Sequence, residues 1–264
     1  MTANAPQANA AHTAHPAGAN IDTRELEQFS ALADKWWDTT GPFRMLHRIG
    51  PPRLRYIREA AIRHFALEAS ARRPLLGLDC LDVGCGGGLV AEPLTRLGGN
   101  VTAIDPARKN VEAARLHADA AGLEIDYRAS MAEDLVEETL TFDLVTCLEV
   151  IEHVPDQRAF VRTLSALVRP GGLLVLSTIS RTPKSYALAI VGAEYILGWL
   201  PRGTHDWTRF VTPPELQTLC SNAGFADFSA RGLVYSLFRD SWQLSDDVDV
   251  NYMAAAARPA GAKS

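Results

Sequence analysis

The residues of this chain most suited to chemistry form a glycine-rich loop that follows a short apolar run. Residues 81–88 are Leu-Asp-Val-Gly-Cys-Gly-Gly-Gly, with four glycines in the five positions from Gly84 to Gly88. Glycine lets the backbone turn sharply and approach a ligand closely, because it has no Cβ. A tight turn alone needs fewer glycines. We therefore expect Gly84 and Gly86 to lie against a cofactor that contains a nucleotide.

The carboxylate of Asp82 helps to choose between the possible cofactors. Counted from Gly86 to Ala91, the loop also matches the dinucleotide fingerprint G-x-G-x-x-A, which is weak when it stands alone. A carboxylate at this place would repel the pyrophosphate of a dinucleotide. It would attract the ammonium or sulfonium group of S-adenosylmethionine. The sequence therefore favours S-adenosylmethionine, with Asp82 among its binding residues.

Three further residues are predicted to bind the same cofactor. Asp105 ends the second predicted strand, 21 residues beyond Gly84. An acidic residue at this distance can accept both ribose hydroxyls, although it could also cap the helix that begins near Pro106. Met131 follows the third predicted strand, where the adenine ring packs in such folds. Leu148 follows the fourth, close to the expected position of the cofactor.

The elements that must position these residues alternate between strands and helices. Apolar runs predict seven strands, at residues 80–83, 101–104, 125–127, 142–147, 173–177, 228–233 and 250–256. Helical spacing predicts one helix that ends near residue 97 and three more at 108–121, 156–168 and 213–223. A repeating β-α-β pattern implies a parallel sheet with helices on both faces. We therefore predict an α/β, Rossmann-like, doubly wound fold whose sheet is mostly parallel with an antiparallel edge strand.

The chain divides into a main domain and shorter flanking parts. Two N-terminal helices are predicted at 21–37 and 53–69, separated by the breaks at Gly41-Pro42 and Pro51-Pro52. The predicted parts are a disordered tail at 1–20, N-terminal helices capping the cofactor site at 21–74, a main domain at 75–258 with an insertion at about 181–210, and a second disordered tail at 259–264.

Composition excludes several classes of function. The net charge of −5 gives no reason to expect a nucleic-acid partner. The four cysteines show no metal-ligand spacing and fit a reducing cytoplasm. The N-terminal residues lack the basic start and apolar run of a signal peptide. We expect a cytoplasmic protein.

One segment is apolar enough to suggest contact with lipid. Residues 185–200 are SYALAIVGAEYILGWL, with Glu194 as the single charged residue. Sixteen residues are too few to span a bilayer. Basic residues on either side suit a segment that lies on an anionic membrane surface. A lid packed over the substrate pocket is an equally good interpretation.

The motifs together resemble one family of class I methyltransferases, the bacterial ubiquinone biosynthesis O-methyltransferases. The glycine loop is common to many methyltransferases, whereas the paired tryptophans, the Gly-Ala-Glu-Tyr-Ile-Leu run and the Val-Asn-Tyr-Met end are more particular. The resemblance covers almost everything between residues 23 and 256, through motifs at 36–38, 46–49, 81–88, 152–155, 191–197, 203–206 and 249–253.

The resemblance implies a class I fold and methyl transfer to ring hydroxyls at two steps of ubiquinone biosynthesis. The two implied acceptors are a 2-polyprenyl-6-hydroxyphenol and 3-demethylubiquinol. Arg53 is implied to contact the cofactor, at its carboxylate, alongside Gly84, Asp105 and Leu148. The implied setting is peripheral at the inner membrane, beside other enzymes of the same pathway.

Methyl transfer to a phenol requires a device that makes the acceptor oxygen nucleophilic. A phenol has a pKa of about 10 and is mostly protonated at neutral pH. Glu149, Glu152 and His153 would share one face of a helical turn, because they stand at i, i+3 and i+4. Together they could hold a divalent cation, with Mg²⁺ favoured by the carboxylates and by the resemblance. Two alternatives remain: His153 acts as a base without metal, or the segment is only a polar helix start.

Overall fold

A single sheet of eight strands forms the centre of the computed structural model, which describes residue 27 and residues 31–187 and 207–261. The strands are β1 (Asp79–Val83), β2 (Asn100–Asp105), β3 (Asp126–Ala129), β4 (Phe142–Leu148), β5 (Val168–Ile179), β6 (Ala226–Ser236), β7 (Ser241–Ser245) and β8 (Asn251–Ala257). Their order in the sheet is β3-β2-β1-β4-β5-β8-β6-β7. The predicted α/β class and the mostly parallel sheet are confirmed.

The sheet changes from parallel to antiparallel at β5. Strands β1 to β5 pair in parallel, whereas β8 runs antiparallel to both β5 and β6. The prediction of seven strands was wrong, because β7 forms a hairpin with β6 and takes the edge of the sheet. Its sequence, Ser-Trp-Gln-Leu-Ser, alternates polar and apolar residues as a half-buried strand does, but the run is short and only two of its five residues are apolar. Strand β5 also begins earlier than predicted, at Val168, and runs through Gly171-Gly172.

Helices cover the sheet, and one of them corrects a sequence prediction. They are α1 (Arg44–His64), α2 (Ala91–Arg96), α3 (Arg108–Ala120), α4 (Ala132–Glu137), α5 (Gln157–Leu167), the single turn α6 (Pro183–Ser185) and α7 (Pro213–Asn222). Helix α1 contains Pro51 and Pro52, which we expected to separate two elements. Proline removes a backbone donor and strains the preceding turn. The helix continues across both because Ile49, Tyr56 and Ile57 are buried against the sheet.

Two hydrophobic cores lie on opposite faces of the sheet, as a doubly wound fold requires. Leu81 and Val83 of β1 belong to one core, and Cys80 belongs to the other. Successive strand residues point to opposite faces, so both faces of β1 are packed. Burial on both sides explains why Cys80, Leu81 and Val83 of this strand are apolar, with the buried Asp82 as the exception among them.

Several predicted segments lie wholly or mostly outside the described residues. These are the tail at 1–20, the end of the chain from residue 262, and residues 188–206 of the predicted insertion. Within the described part of the predicted helix at 21–37, a 3₁₀ turn spans Ala33–Lys35. No helix in the described ranges is long and apolar enough to cross a bilayer.

We expect Tyr252→Phe to reduce the free energy of unfolding by about 1 kcal/mol. The Tyr252 hydroxyl is fully buried in β8 and donates a 2.7 Å hydrogen bond to the carbonyl of Val211, which the variant leaves without its partner. Urea denaturation followed by circular dichroism measures the change. Tyr186→Phe is the control, because the Tyr186 side chain is half exposed. Equal stability of the two variants would contradict the expectation.

Candidate active site

The glycine loop joins β1 to α2 in a conformation that other residues rarely adopt. Gly84, Gly86 and Gly88 have φ angles of +73°, +51° and +88°. The N–H groups of Gly84 and Cys85 both donate to the carbonyl of Ile104, which ties the loop to the end of β2. A Cβ on Gly84 would lie 2.4 Å from Val150 Cγ2. The predicted need for glycine at Gly84 and Gly86 therefore has two causes, the positive φ angle and the lack of space for a Cβ.

Asp82 is a buried carboxylate with one oxygen that has no hydrogen bond. Its Oδ1 accepts a 2.8 Å hydrogen bond from the Thr146 hydroxyl on the neighbouring strand β4. Its Oδ2 is buried and unpartnered. Burial, together with the negative charge of Asp105, raises the pKa of Asp82 to about 7. An orphaned carboxylate oxygen beneath a glycine loop fits a cationic group and would repel an anionic one.

Asp105 holds the glycine loop in place. Its Oδ2 accepts a 3.0 Å hydrogen bond from the N–H of Gly86, and its Oδ1 accepts from the N–H of Ala107 and the side chain of Asn110. Burial raises the pKa of this carboxyl group, and the three hydrogen bonds oppose that effect. The contact with Gly86 places Asp105 beside the loop, as its predicted role in ribose binding requires, and that role stays a prediction.

Two tryptophans from the N-terminal segment pack directly on the glycine loop. A Cβ on Gly86 would lie 2.5 Å from Trp36 Cη2, and one on Gly87 would lie 2.3 Å from Trp36 Cβ. The indole N–H of Trp37 donates a 2.9 Å hydrogen bond to the carbonyl of Gly87. The Trp37 ring also stacks on His117, with the ring centroids 3.5 Å apart. The N-terminal segment therefore forms part of the wall of this site.

Arg53 pairs with Glu149, although the sequence assigned the first to a cofactor and the second to a metal. The Arg53 guanidinium, which is almost fully buried, lies 2.5 Å from Glu149 Oε1. The same carboxylate oxygen accepts a 2.7 Å hydrogen bond from the Ser177 hydroxyl. The Nε of Arg53 is buried and has no hydrogen bond. The guanidinium therefore retains an unused donor, which leaves room for the predicted contact with a second carboxylate.

Glu152 is the second buried carboxylate at this edge of the sheet. It lies in a 3₁₀ turn, Ile151–His153, that follows β4. Its Oε2 accepts a 2.8 Å hydrogen bond from Thr178, and its Oε1 is buried without a partner. Burial and the negative charge of Glu149 raise the pKa of Glu152 to about 7, while His153 opposes the shift. His153 is half-buried beside it.

The expected single helical face for Glu149, Glu152 and His153 was wrong. Glu149 has a φ of +55° and precedes the 3₁₀ turn instead of belonging to it. A left-handed backbone at a non-glycine residue is uncommon and is concentrated at functional sites. No group of three or more His, Cys, Asp or Glu side chains within the described ranges is arranged to hold a metal ion. These residues as they stand do not fit Mg²⁺.

The remaining predicted residues and three missed ones lie along the same edge. Met131 and Leu148 are half-buried, at the start of α4 and the end of β4. Sequence reasoning missed Thr146, Ser177 and Thr178, which donate to the three acidic side chains of the site. A signal was present, because each is a hydroxyl residue within or next to a buried apolar run of its strand.

Comparison with known proteins identifies the same family that the sequence motifs resemble. A family model described as a methyltransferase domain matches residues 54–230. A ubiquinone biosynthesis O-methyltransferase from Methylobacterium sp. (strain 4-46) is 51% identical over 93% of this chain and 98% of the relative. Another with the same name, from Parvibaculum lavamentivorans, is 49% identical over 92% of this chain and 96% of its own length.

Solved structures support the fold. Magnesium protoporphyrin IX methyltransferase from Synechocystis PCC 6803, solved with bound S-adenosylhomocysteine, superposes with a TM-score of 0.64 at 20% identity and covers 89% of this chain and 99% of its own. The fold class predicted from the sequence, that of the class I methyltransferases, is thereby confirmed. From this fold, the family match and the near-complete cover of its relatives, we conclude that the chain is an S-adenosylmethionine-dependent methyltransferase that belongs to the ubiquinone biosynthesis O-methyltransferase family.

Proposed function

We propose that this protein methylates phenolic hydroxyls of polyprenylated ubiquinone precursors. The acceptors would be 2-polyprenyl-6-hydroxyphenol and 3-demethylubiquinol, so that one chain serves both O-methylation steps. The observation that carries the proposal is the pair of buried carboxylates, Asp82 and Glu152, each with an unbonded oxygen at the carboxyl edge of the sheet. Ligands of open α/β sheets bind at this edge. The relatives' name supplies the pathway.

The cofactor side of the site is assigned to the glycine loop and its neighbours. When bound, S-adenosylmethionine supplies a methyl group on a positively charged sulfur atom that is open to in-line attack. Asp82 would offset the positive charge of the cofactor from below the loop. Asp105 would hold the ribose, while Gly84 and Gly86 allow close approach of the backbone. Arg53 would orient the carboxylate end through its unused Nε donor.

Met131, at the adenine, and Leu148 are assigned to the cofactor side as packing contacts, and the acceptor side is assigned to Glu152 and His153 as the proton acceptors. The acceptor hydroxyl must lose its proton as the oxygen attacks, and a positioned side chain can remove it. His153 would take that proton at a ring nitrogen, with the neighbouring carboxylate of Glu152 stabilising the developing positive charge. Glu149 would orient the segment through Arg53 and Ser177, whose hydrogen bonds are already in place.

The sequence also suggested a divalent cation held by Glu149, Glu152 and His153, and these side chains as they stand do not fit one. Because Arg53 occupies Glu149, a cation would first have to displace the guanidinium. We derive no step of the reaction through such a cation.

The setting that we propose follows from the acceptor. A polyprenyl chain is dissolved in lipid, so the enzyme would work in the cytoplasm at the anionic surface of the inner membrane, beside other enzymes of the pathway. The four cysteines are all free and buried, which is compatible with a reducing compartment. The predicted lipid contact at 185–200 lies almost entirely outside the described residues.

We expect S-adenosylmethionine to bind about fivefold to tenfold more weakly at about pH 6 than at about pH 7.5. The pKa of Asp82 is raised to about 7, and a bound cation favours the ionised carboxylate. Binding therefore releases a proton when the pH lies below this pKa, and the affinity rises with pH until Asp82 is ionised. Calorimetric titration in two buffers of different ionisation enthalpy measures both quantities.

Asp82→Asn is the matched variant for this measurement. It cannot ionise, so its affinity should be lower and should vary little over the same pH range. An unchanged pH dependence in the variant would show that Asp82 is not the group that senses the cofactor.

We expect His153→Asn to lower kcat by about 100-fold or more with a short-chain demethylubiquinol as acceptor. The variant removes the proposed proton acceptor and keeps a polar side chain of similar size. Binding of S-adenosylhomocysteine, measured by calorimetry, should stay within about twofold of the wild-type value. His64→Asn is the control, because His64 bonds to Gly171 at the far end of α1. Retention of wild-type kcat by His153→Asn would refute the assignment.

We expect Arg53→Gln to tighten Mg²⁺ binding at least several-fold if Glu149 is a metal ligand, because the variant removes a competing cation. Calorimetric titration of Mg²⁺ into the wild type and the variant tests this. Arg55→Gln is the control, since Arg55 pairs with Glu59 on the surface of α1. Equal Mg²⁺ affinity of the Arg53 variant and the wild type would exclude Glu149 as a ligand.

A further inference from the structure

Two large apolar side chains stand in solvent at the tip of the β6–β7 hairpin. Leu237 is 85% exposed, and Phe238 is fully exposed. Large hydrophobic side chains in the described ranges are rarely exposed to this extent, and the few others are scattered singly, at Leu76, Leu116 and Tyr186. Adjacent exposed apolar residues of this size indicate a contact with another apolar phase.

The hairpin tip is fixed to helix α1. The Arg48 guanidinium donates hydrogen bonds to the Asp240 carboxylate, at 2.6 Å, and to the Asp240 carbonyl, at 3.1 Å. The Tyr235 hydroxyl donates to the same carboxylate, and the Arg48 guanidinium lies 5.3 Å from the Tyr235 ring centroid. Leu237 and Phe238 are therefore displayed on a turn that is anchored at its base.

A basic groove lies beside this tip, between α1 and the hairpin. It has a volume of about 740 Å³, and four arginines line it against one glutamate: Arg55, Arg63, Arg231, Arg239 and Glu59. Arg55 pairs with Glu59, and Arg231 pairs with Asp246 at 3.3 Å. The chain as a whole carries a net charge of −5, so this positive charge is a local feature.

We propose that the hairpin tip and the basic groove form a docking surface for an anionic phospholipid bilayer. Leu237 and Phe238 would enter the boundary between headgroups and acyl chains, while the arginines contact lipid phosphates. Arg239, next to Phe238 in sequence, belongs to the groove, so the apolar and basic parts are continuous. Neither part alone gives stable attachment, because membrane anchoring generally requires two signals.

Helix α1 connects this surface to the active site. It carries Arg53, which faces Glu149, and two residues of the groove, Arg55 and Arg63. A bilayer docked on the groove would therefore lie one helix away from the site. The purpose of the docking rests on the proposed function, since a polyprenylated acceptor must leave the bilayer to be methylated.

Sedimentation of the full-length protein with vesicles tests the docking surface. Vesicles of phosphatidylcholine alone are compared with vesicles of phosphatidylcholine and phosphatidylglycerol. We expect the wild type to prefer the anionic vesicles, and Leu237→Ser/Phe238→Ser to bind them about tenfold more weakly or worse. Arg63→Glu/Arg239→Glu should lose a similar factor and should also lose most of its dependence on salt.

Matched controls separate the surface from general effects of the substitutions. Leu116→Ser replaces an exposed leucine of α3, and Arg158→Glu/Arg162→Glu reverses two exposed charges of α5. Both should bind as the wild type does. Wild-type binding by either docking variant, equal binding of the wild type to neutral and anionic vesicles, or no binding at all would overturn the proposal. Methyl transfer to a short-chain acceptor in solution reports on the proposed function separately, because it needs no bilayer.

Discussion

A carboxylate buried without a countercharge is the constraint around which this structure is organised. Taking an ionised group out of water is costly unless it is paired, and Asp82 has only neutral partners, the Thr146 hydroxyl and the backbone of Ala91, and a neighbour of like charge, Asp105. The parallel register of β1 with β4 places Asp82 opposite Thr146, and the register with β2 brings Asp105 to the same edge. This arrangement leaves one carboxylate oxygen of Asp82 without a partner, which is the basis for our proposal that a positively charged ligand binds there.

The repeating strand and helix units of the parallel half of the sheet could be predicted from the sequence. Alternating apolar strands and helices predict the parallel half of the sheet, because the central strands there are buried on both faces and are mostly apolar. The hairpin was harder to predict. Strand β7 alternates polar and apolar residues over only five positions, which is a weak signal for a strand, and it pairs with β6 across a tight turn at residues 237–240. The two prolines of α1 show the same limit, because burial of the helix outweighs a local preference for breaking it.

The candidate site was predictable in its membership but not in its pairing. Spacing identified Glu149 and Glu152, and the family resemblance implied Arg53, yet neither could show that Arg53 and Glu149 neutralise each other. An ion pair between residues 96 positions apart depends on how α1 crosses the end of the sheet. The left-handed backbone at Glu149 was equally hidden, since it turns this residue away from the helical face that a regular spacing assumes.

Because Trp36 and Trp37 pack on the glycine loop, their intrinsic fluorescence reports on events at the site. An indole ring responds to changes in polarity and quenching within a few ångströms, and these two rings touch Gly86 and Gly87 directly. Trp37 also stacks on His117, whose imidazole contacts the buried carboxylate of Glu92 at 2.5 Å. Occupancy of the loop would therefore alter the intrinsic fluorescence of the chain, so ligand arrival could be followed in real time without any attached dye.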